Sequence, residues 1–262
     1  MAVGGRIGSE KDGALGFVVF DQPERRNAIS VEMWEQLPDA VATLADDPEV
    51  RAVVMRGAGD AFVAGADISQ FAERRTDAGD VADYGRLAGR GLAALLDLEK
   101  PLLAALRGPC VGGGVVVALT ADLRFAADDA SFRIPAARLG IGYEAGGVGA
   151  LADAVGWSAA LDLLFTARRI DAEEARRIGL VNEVCPAGAL DALVAERAGR
   201  IAENAPLTLR ALKLAARELR KPAAARDMDA VGAAYAACFA SDDYREGVSA
   251  FLEKRTPRFE GR

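Results

Sequence analysis

Gly108-Pro109-Cys110-Val111-Gly112-Gly113-Gly114-Val115 is the stretch on which the reading of this sequence turns. It follows the apolar run Leu102-Leu103-Ala104-Ala105-Leu106, which reads as a strand, and it opens a second apolar run that reads as a helix. Small residues therefore stand at the end of a strand and the start of a helix. An earlier segment, Ala61-Phe62-Val63-Ala64-Gly65-Ala66-Asp67-Ile68, has the same build. Small residues let a ligand approach the backbone closely. A helix N-terminus offers unpaired N–H groups and the positive end of the helix dipole. Two such turns side by side would aim two backbone donors at one oxygen, which stabilises charge developing on a carbonyl. Taken singly, either loop reads as a tight turn that allows close packing. The glycine spacing is wrong for a dinucleotide fingerprint, and nothing matches a phosphate-binding P-loop.

Outward from these loops, short β-rich runs alternate with helical ones. Strands are expected over 16–20, 51–56, 102–106, 123–126 and 131–134. Helices are expected over 31–45, with Ser30 as N-cap, and over 80–99. Strands separated by helices predict βαβ crossovers and a largely parallel, α/β layer. From Gly147 onward the pattern is helical, over 147–155, 158–165, 172–178, 190–204, 207–219, 223–240 and 242–253, interrupted by one strand at 180–184. The boundary is soft: a sheet-containing core over 1–200, then a helical part over 201–262.

Composition narrows the function. The 262 residues are 51% hydrophobic and 27% charged, as in a soluble globular chain. A net charge of −7 disfavours nucleic acid and anionic membrane surfaces. Met1 to Gly13 lacks the apolar core of a signal peptide, and no apolar run is long enough to span a bilayer. The three cysteines, Cys110, Cys185 and Cys238, are odd in number and far apart, which predicts a reducing cytoplasm and no disulfide framework. Histidine is absent. Ser-His and Cys-His catalysis and histidine metal sites are thereby removed, so proton transfer falls to carboxylates, Tyr, Lys, Cys or water.

Several ordered segments resemble the enoyl-CoA hydratase/isomerase (crotonase) family. Asn27-Ala28-Ile29-Ser30 is similar to its Asn-Ala-Leu motif. Ala64-Gly65-Ala66-Asp67-Ile68 is similar to its first oxyanion loop, and Gly112-Gly113-Gly114 followed by Ala121-Asp122-Leu123-Arg124 to its second. Leu139-Gly140 and Gly146-Gly147 stand where the family has a glycine-bearing loop. The segment from Asp171-Ala172-Glu173-Glu174-Ala175 to Gly179-Leu180-Val181 and the tail from Asp242 to Arg255 also match. The resemblance implies a ββα spiral core and a helical C-terminal trimerisation region, forming a homotrimer or hexamer. It implies an acyl-CoA thioester as ligand, coenzyme A entering as part of the substrate, with no separate cofactor and no metal. The amides of Ala66 and Gly113, with Gly112 beside them, would grip the thioester oxygen. Ala28, Ala64, Asp67 and Ile68 would line the CoA path, with the Asp67 carboxylate in a structural role. Arg25 and Arg26 lie near where the family meets CoA phosphates and read equally as solvated surface. Phe251 and Lys254 would reach a neighbouring subunit's CoA.

The sequence departs from the family at two places. Hydratases of this family carry one glutamate two residues after the last glycine of the triple-glycine run and another after a strand-ending proline. Val116 and Ala136 stand there. Neither side chain can hold or deprotonate a water, so standard hydration is not expected. Glu144, in Gly140-Ile141-Gly142-Tyr143-Glu144, falls where dienoyl-CoA isomerases carry a proton-moving aspartate. Burial beside an acyl chain would raise its pKa and suit it as a general base; the other reading is a solvent-facing loop residue. Tyr143 is a further candidate for proton donation or substrate binding, and Tyr84, Leu139 and Trp157 are candidates for the acyl pocket. The expected activity is proton transfer of the isomerisation type on a thioester enolate. The alternative is a catalytically silent acyl-CoA-binding protein or assembly subunit.

Overall fold

The computed structural model describes residues 5–67 and 78–262. Its strands are, in chain order, β1 (Arg6–Asp12), β2 (Leu15–Asp21), β3 (Ala52–Gly57), β4 (Leu102–Leu106), β5 (Pro109–Val111), β6 (Leu123–Ala127), β7 (Ser131–Arg133), β8 (Arg169–Asp171) and β9 (Glu183–Cys185). The helices of the core are α1 (Val31–Asp46), α2 (Ala78–Asp97), α3 (Gly113–Leu119), α4 (Ala136–Leu139), α5 (Ala145–Val155), α6 (Trp157–Thr166), α7 (Ala172–Arg177) and α8 (Leu190–Ala202). Then come α9 (Pro206–Arg220), α10 (Met228–Ala240) and α11 (Asp242–Glu253).

Six strands form one sheet in the order β1-β2-β3-β4-β6-β9, and β5-β7-β8 form a second. Only β1 runs antiparallel in the larger sheet, against β2. A strand-strand-helix unit recurs as β1-β2-α1, β4-β5-α3 and β6-β7-α4. In the last two units the first strand joins the larger sheet and the second joins the smaller. The chain therefore turns as a spiral, and each turn brings a strand end and a helix start to the same side.

The larger sheet is covered on both faces, as parallel sheets usually are. Val53, Met55, Leu102, Ala104 and Leu106 join the core that contains Met33, Trp34 and Leu37 of α1. Their neighbours Ala52, Val54, Leu103 and Ala105 pack on the opposite face against Leu190, Val194 and Ala198 of α8. The period of two along a strand places alternate residues on opposite faces. This is why all five residues of β4 are buried and apolar.

The turn that leads from β2 into α1 is held by Asn27. It is fully buried at φ 57, a left-handed conformation that asparagine tolerates better than most residues. Its side-chain oxygen accepts from the Gln22 amide at 2.9 Å, and its nitrogen donates to the carbonyls of Ala58 and Ala61, both at 2.8 Å. Those two carbonyls belong to the loop that leads to the first small-residue segment.

Ser30 caps α1 as the sequence predicts, its hydroxyl accepting from the Met33 amide. Four features differ from the sequence reading. The polar N-terminal arm forms β1, an exposed edge strand (RIGSEKD) with no apolar signal. Strands β5 and β8 are only three residues each, too short to show a period. The strand expected over 180–184 is β9, shifted toward the C-terminus. The helix expected over 223–240 begins at Met228, because Asp227 caps it by accepting from the Ala230 amide; Ala223–Ala225 forms a separate 3-10 turn.

Replacing Asn27 by alanine leaves three main-chain groups, two of them buried, without their partner. The expected cost is about 3 kcal/mol of folding stability, read by chemical denaturation; a loss within error of zero would show that the loop does not depend on this side chain.

Candidate active site

The two glycine-bearing loops meet. Ile29 bridges to Ala66 in parallel fashion, its amide donating to the Gly65 carbonyl while the Asp67 amide donates to the Ile29 carbonyl. That pairing uses the groups flanking Ala66 and leaves the Ala66 N–H pointing the other way. Val63 bridges to Cys110, with the Val111 amide donating to the Val63 carbonyl at 3.1 Å. The two loops thus run side by side as an extension of the smaller sheet.

Gly114 makes the approach possible. A Cβ there would lie 2.1 Å from the Val63 carbonyl oxygen, well inside any allowed contact. Gly112 holds φ +54, a region that L side chains rarely adopt, and so turns the chain into α3. Gly113 is the first residue of α3, so its N–H has no carbonyl one turn back to receive it. A carbon added at its Cα would stand 3.9 Å from the Ala66 nitrogen. Among the described residues no group accepts a hydrogen bond from the amide of Ala66 or of Gly113.

Ala66 and Gly113 both line a cavity of about 380 Å³. Trp34 of α1 contributes to its wall, and its indole N–H donates to the Tyr84 hydroxyl at 2.9 Å. Tyr84, Ala88, Leu92 and Leu96 of α2 form a stripe along the same wall. The sequence reading found only Tyr84 of these, although a repeat of four residues is the signal of one helix face. Leu139 also lines the cavity, whereas Trp157, 63% exposed, does not.

Val116, Ala136, Tyr143 and Glu144 border the same space. Among the described residues Glu144 is the only carboxylate on the wall. It is the N-cap residue of α5 but makes no cap hydrogen bond, and one carboxylate oxygen lies near Gly85 of α2. Its side chain is exposed. Tyr143 is half-buried, and its hydroxyl donates to the Gly112 carbonyl at 3.4 Å. Burial, with a smaller contribution from the Cys110 thiol, raises the Tyr143 pKa, so the phenol keeps its proton. Burial likewise pushes the Cys110 thiol up and makes it a poor nucleophile.

The remaining expected site residues fall around this cavity or away from it. Ala64 lines it. Asp67 is buried and accepts from Arg25 at 2.6 Å and from the Gln22 side-chain Nε2 at 3.2 Å. Arg25 is therefore tied to the first loop. Arg26 is exposed at φ 52, and its carbonyl accepts from the Ala64 amide at 3.0 Å. Ala28 is half-buried on the same turn. Ile68 lies outside the described residues. Phe251, 83% exposed, and Lys254, which ends α11 at φ 55, stand off the cavity. No cluster of three or more His, Cys, Asp or Glu side chains that could hold a metal ion is present among the described residues. No described helix is long and apolar enough to cross a membrane.

Residues 10–262 match the model of the Enoyl-CoA hydratase/isomerase family. The chain belongs to the enoyl-CoA hydratase/isomerase family. A crotonyl-CoA hydratase of Syntrophomonas wolfei is 38% identical over 251 residues, covering 95% of this chain and 96% of that protein. A peroxisomal Delta(3,5)-Delta(2,4)-dienoyl-CoA isomerase of Arabidopsis thaliana is 30% identical over 264 residues, 97% of this chain and 95% of that one. The crystal structure of an enoyl-CoA hydratase from Bacillus anthracis superposes with a TM-score of 0.90 at 29% identity, covering 98% of this chain and 100% of that one. The family's α/β spiral fold is thus the fold of this enzyme, with helices at its C-terminal end.

Gly114→Ala drives a methyl group into the Val63 carbonyl and separates the two loops. The expected outcome is a loss of about 2–3 kcal/mol in denaturant unfolding, accompanied by loss of thioester binding; full stability would show that the loops can part without cost.

Proposed function

We propose that this member of the family processes acyl-CoA thioesters by forming their enolate, and that it moves a proton between carbons in preference to adding water. The observation that carries this reading is the makeup of the cavity wall. Ala66 and Gly113, whose amides have no acceptor among the described residues, line it together with one described carboxylate, Glu144. Val116 and Ala136 occupy the places where hydratases of the family carry glutamates, and neither offers a group to hold a water.

In the proposed reaction the thioester oxygen accepts from the Ala66 and Gly113 amides. Each such donor in comparable sites contributes about 3–4 kcal/mol toward the charged oxygen of the enolate. Glu144 takes a proton from carbon, the electron pair passes to the thioester oxygen, and the carboxylic acid returns the proton to another carbon of the conjugated system. Oxygen regains its double bond and the carboxylate is restored. A single base suffices, whereas hydration needs a water held and deprotonated as well.

The CoA portion is proposed to pass Ala28, Ala64 and the Arg25–Asp67 pair, with Arg26 exposed nearby. No further cofactor enters the proposed scheme. The protein is further proposed to act in the cytoplasm as a homotrimer or hexamer. Support for self-association comes from an apolar hollow of about 630 Å³ among α9, α10 and α11, lined by Leu212, Tyr235, Phe239, Phe251 and Leu252. Neither glycine loop lines that hollow, so its size does not make it the reaction site.

Wild type, Glu144→Gln and Gly113→Pro are to be assayed on a panel of enoyl-CoA and dienoyl-CoA thioesters. Double-bond isomerisation is expected in wild type, reduced at least about 100-fold by Glu144→Gln and about 100- to 1,000-fold by Gly113→Pro. Robust hydration that survives Glu144→Gln would remove Glu144 from the role of base. Binding without turnover of any thioester would identify a silent acyl-CoA binder. Sedimentation at micromolar concentration is expected to give a trimer or hexamer, and a monomer there would count against the assembly.

A further inference from the structure

One peptide unit carries both the Gly112 carbonyl and the Gly113 N–H, held in a common plane by amide resonance. Gly113, at the N–H end, lines the cavity. The carbonyl end accepts three donors: the amide of Val115 at 3.0 Å, the amide of Val116 at 3.4 Å and the hydroxyl of Tyr143 at 3.4 Å. The first two come from within α3 and hold the carbonyl along the helix. The hydroxyl comes from outside that helix, from the residue next to Glu144. On the other side, the Gly112 amide donates to the Arg133 carbonyl at 2.8 Å, which ties the turn to β7.

The Tyr143 ring is well placed to keep its hydroxyl there. A carbon added to Gly147 would meet a ring carbon at 3.0 Å and a Val116 methyl at 3.4 Å. The ring thus lies against the first turn of α5 beside Val116. Half-buried and with its pKa raised by desolvation, the phenol keeps its proton and acts as a donor at neutral pH. Donation to a carbonyl draws electron density toward oxygen and leaves the N–H of the same amide more positive, the basis of cooperative hydrogen-bond chains.

We propose that Tyr143 is a positioning residue: through the Gly112 carbonyl, its hydroxyl orients and polarises the Gly113 N–H that faces the thioester oxygen. The inference rests on the reading of the Ala66 and Gly113 amides as the oxyanion site. It adds that the loop carrying Glu144 is joined to that site through its neighbouring residue, so the base and the oxygen-binding donor are set by one contact.

The test compares butyryl-CoA with S-butyl-CoA, a thioether of the same chain that lacks the carbonyl oxygen, by calorimetry on the full chain. Wild type is expected to prefer the thioester. Tyr143→Phe keeps the ring and removes the hydroxyl. It is expected to cut that preference about three- to tenfold, with S-butyl-CoA binding within about twofold of wild type. The infrared carbonyl stretch of bound butyryl-CoA is expected to move toward its value in water. An unchanged preference and stretch in Tyr143→Phe, with wild type still selective, would overturn the role of Tyr143 alone. An equal fall for both ligands would also overturn it, since the ring would then serve only to pack. A wild type with no preference for the thioester would overturn the oxyanion reading and this inference with it. Should Tyr143→Phe fail to fold, 3-fluorotyrosine at position 143 supplies a more acidic hydroxyl. A larger thioester preference is then expected, and an unchanged one overturns the proposal.

Discussion

No side-chain carbon fits at residue 114, because the Val63 carbonyl oxygen occupies the space where it would stand. This contact decides how closely the start of α3 approaches the loop that follows β3. With glycine there, Val63 can bridge to Cys110 while Ile29 bridges to Ala66. The amides of Ala66 and Gly113 then come to one wall of the cavity. Any residue larger than glycine would hold the loops apart and scatter those two donors. Asn27 supports the same arrangement from beneath, since it holds the Ala58 and Ala61 carbonyls just upstream of Val63.

The wall beside these amides is largely apolar. Val116 and Ala136 present only hydrocarbon, and the Tyr143 ring and Val116 both lie beside Gly147, the Tyr143 hydroxyl donating to the Gly112 carbonyl. An apolar wall strengthens interactions with a developing charge because less water competes for it. The same wall gives no purchase to a nucleophilic water. The proposed preference for proton transfer follows from that contrast, with Glu144 as the sole described carboxylate available.

Tyr143 and Glu144 are adjacent in sequence yet differ in environment. The tyrosine is half-buried and makes its bond to the second glycine loop, whereas the glutamate is exposed at the head of α5. A rigid neighbour next to a solvent-reaching carboxylate limits the positions the carboxylate can take. Arg25 does similar work on the first loop by pairing with buried Asp67. Charge beside this cavity thus fixes the first loop.

By itself the sequence determined the α/β alternation, the Ser30 cap, the two small-residue loops and the missing histidine. Each of these is a local signal: a period of two or of four residues, a capping hydroxyl, a run of glycines or a count. The same local reading missed β1, whose exposed edge needs no apolar face, and the three-residue strands β5 and β8, which are too short to carry a period. It grouped Trp157 with Tyr84 and Leu139, yet Trp157 does not line the cavity, which Trp34, Ala88 and Leu92 line beside Tyr84 and Leu139. Only the tertiary structure decided that the Ala66 and Gly113 amides lie together and that Tyr143 reaches Gly112. Residues 66 and 113 are far apart in the chain, and their meeting depends on β3 and β4 pairing in parallel so that both following loops leave the same end of the sheet. No local pattern encodes that distance, because it is a property of the register between strands and of the space left by a missing side chain at Gly114.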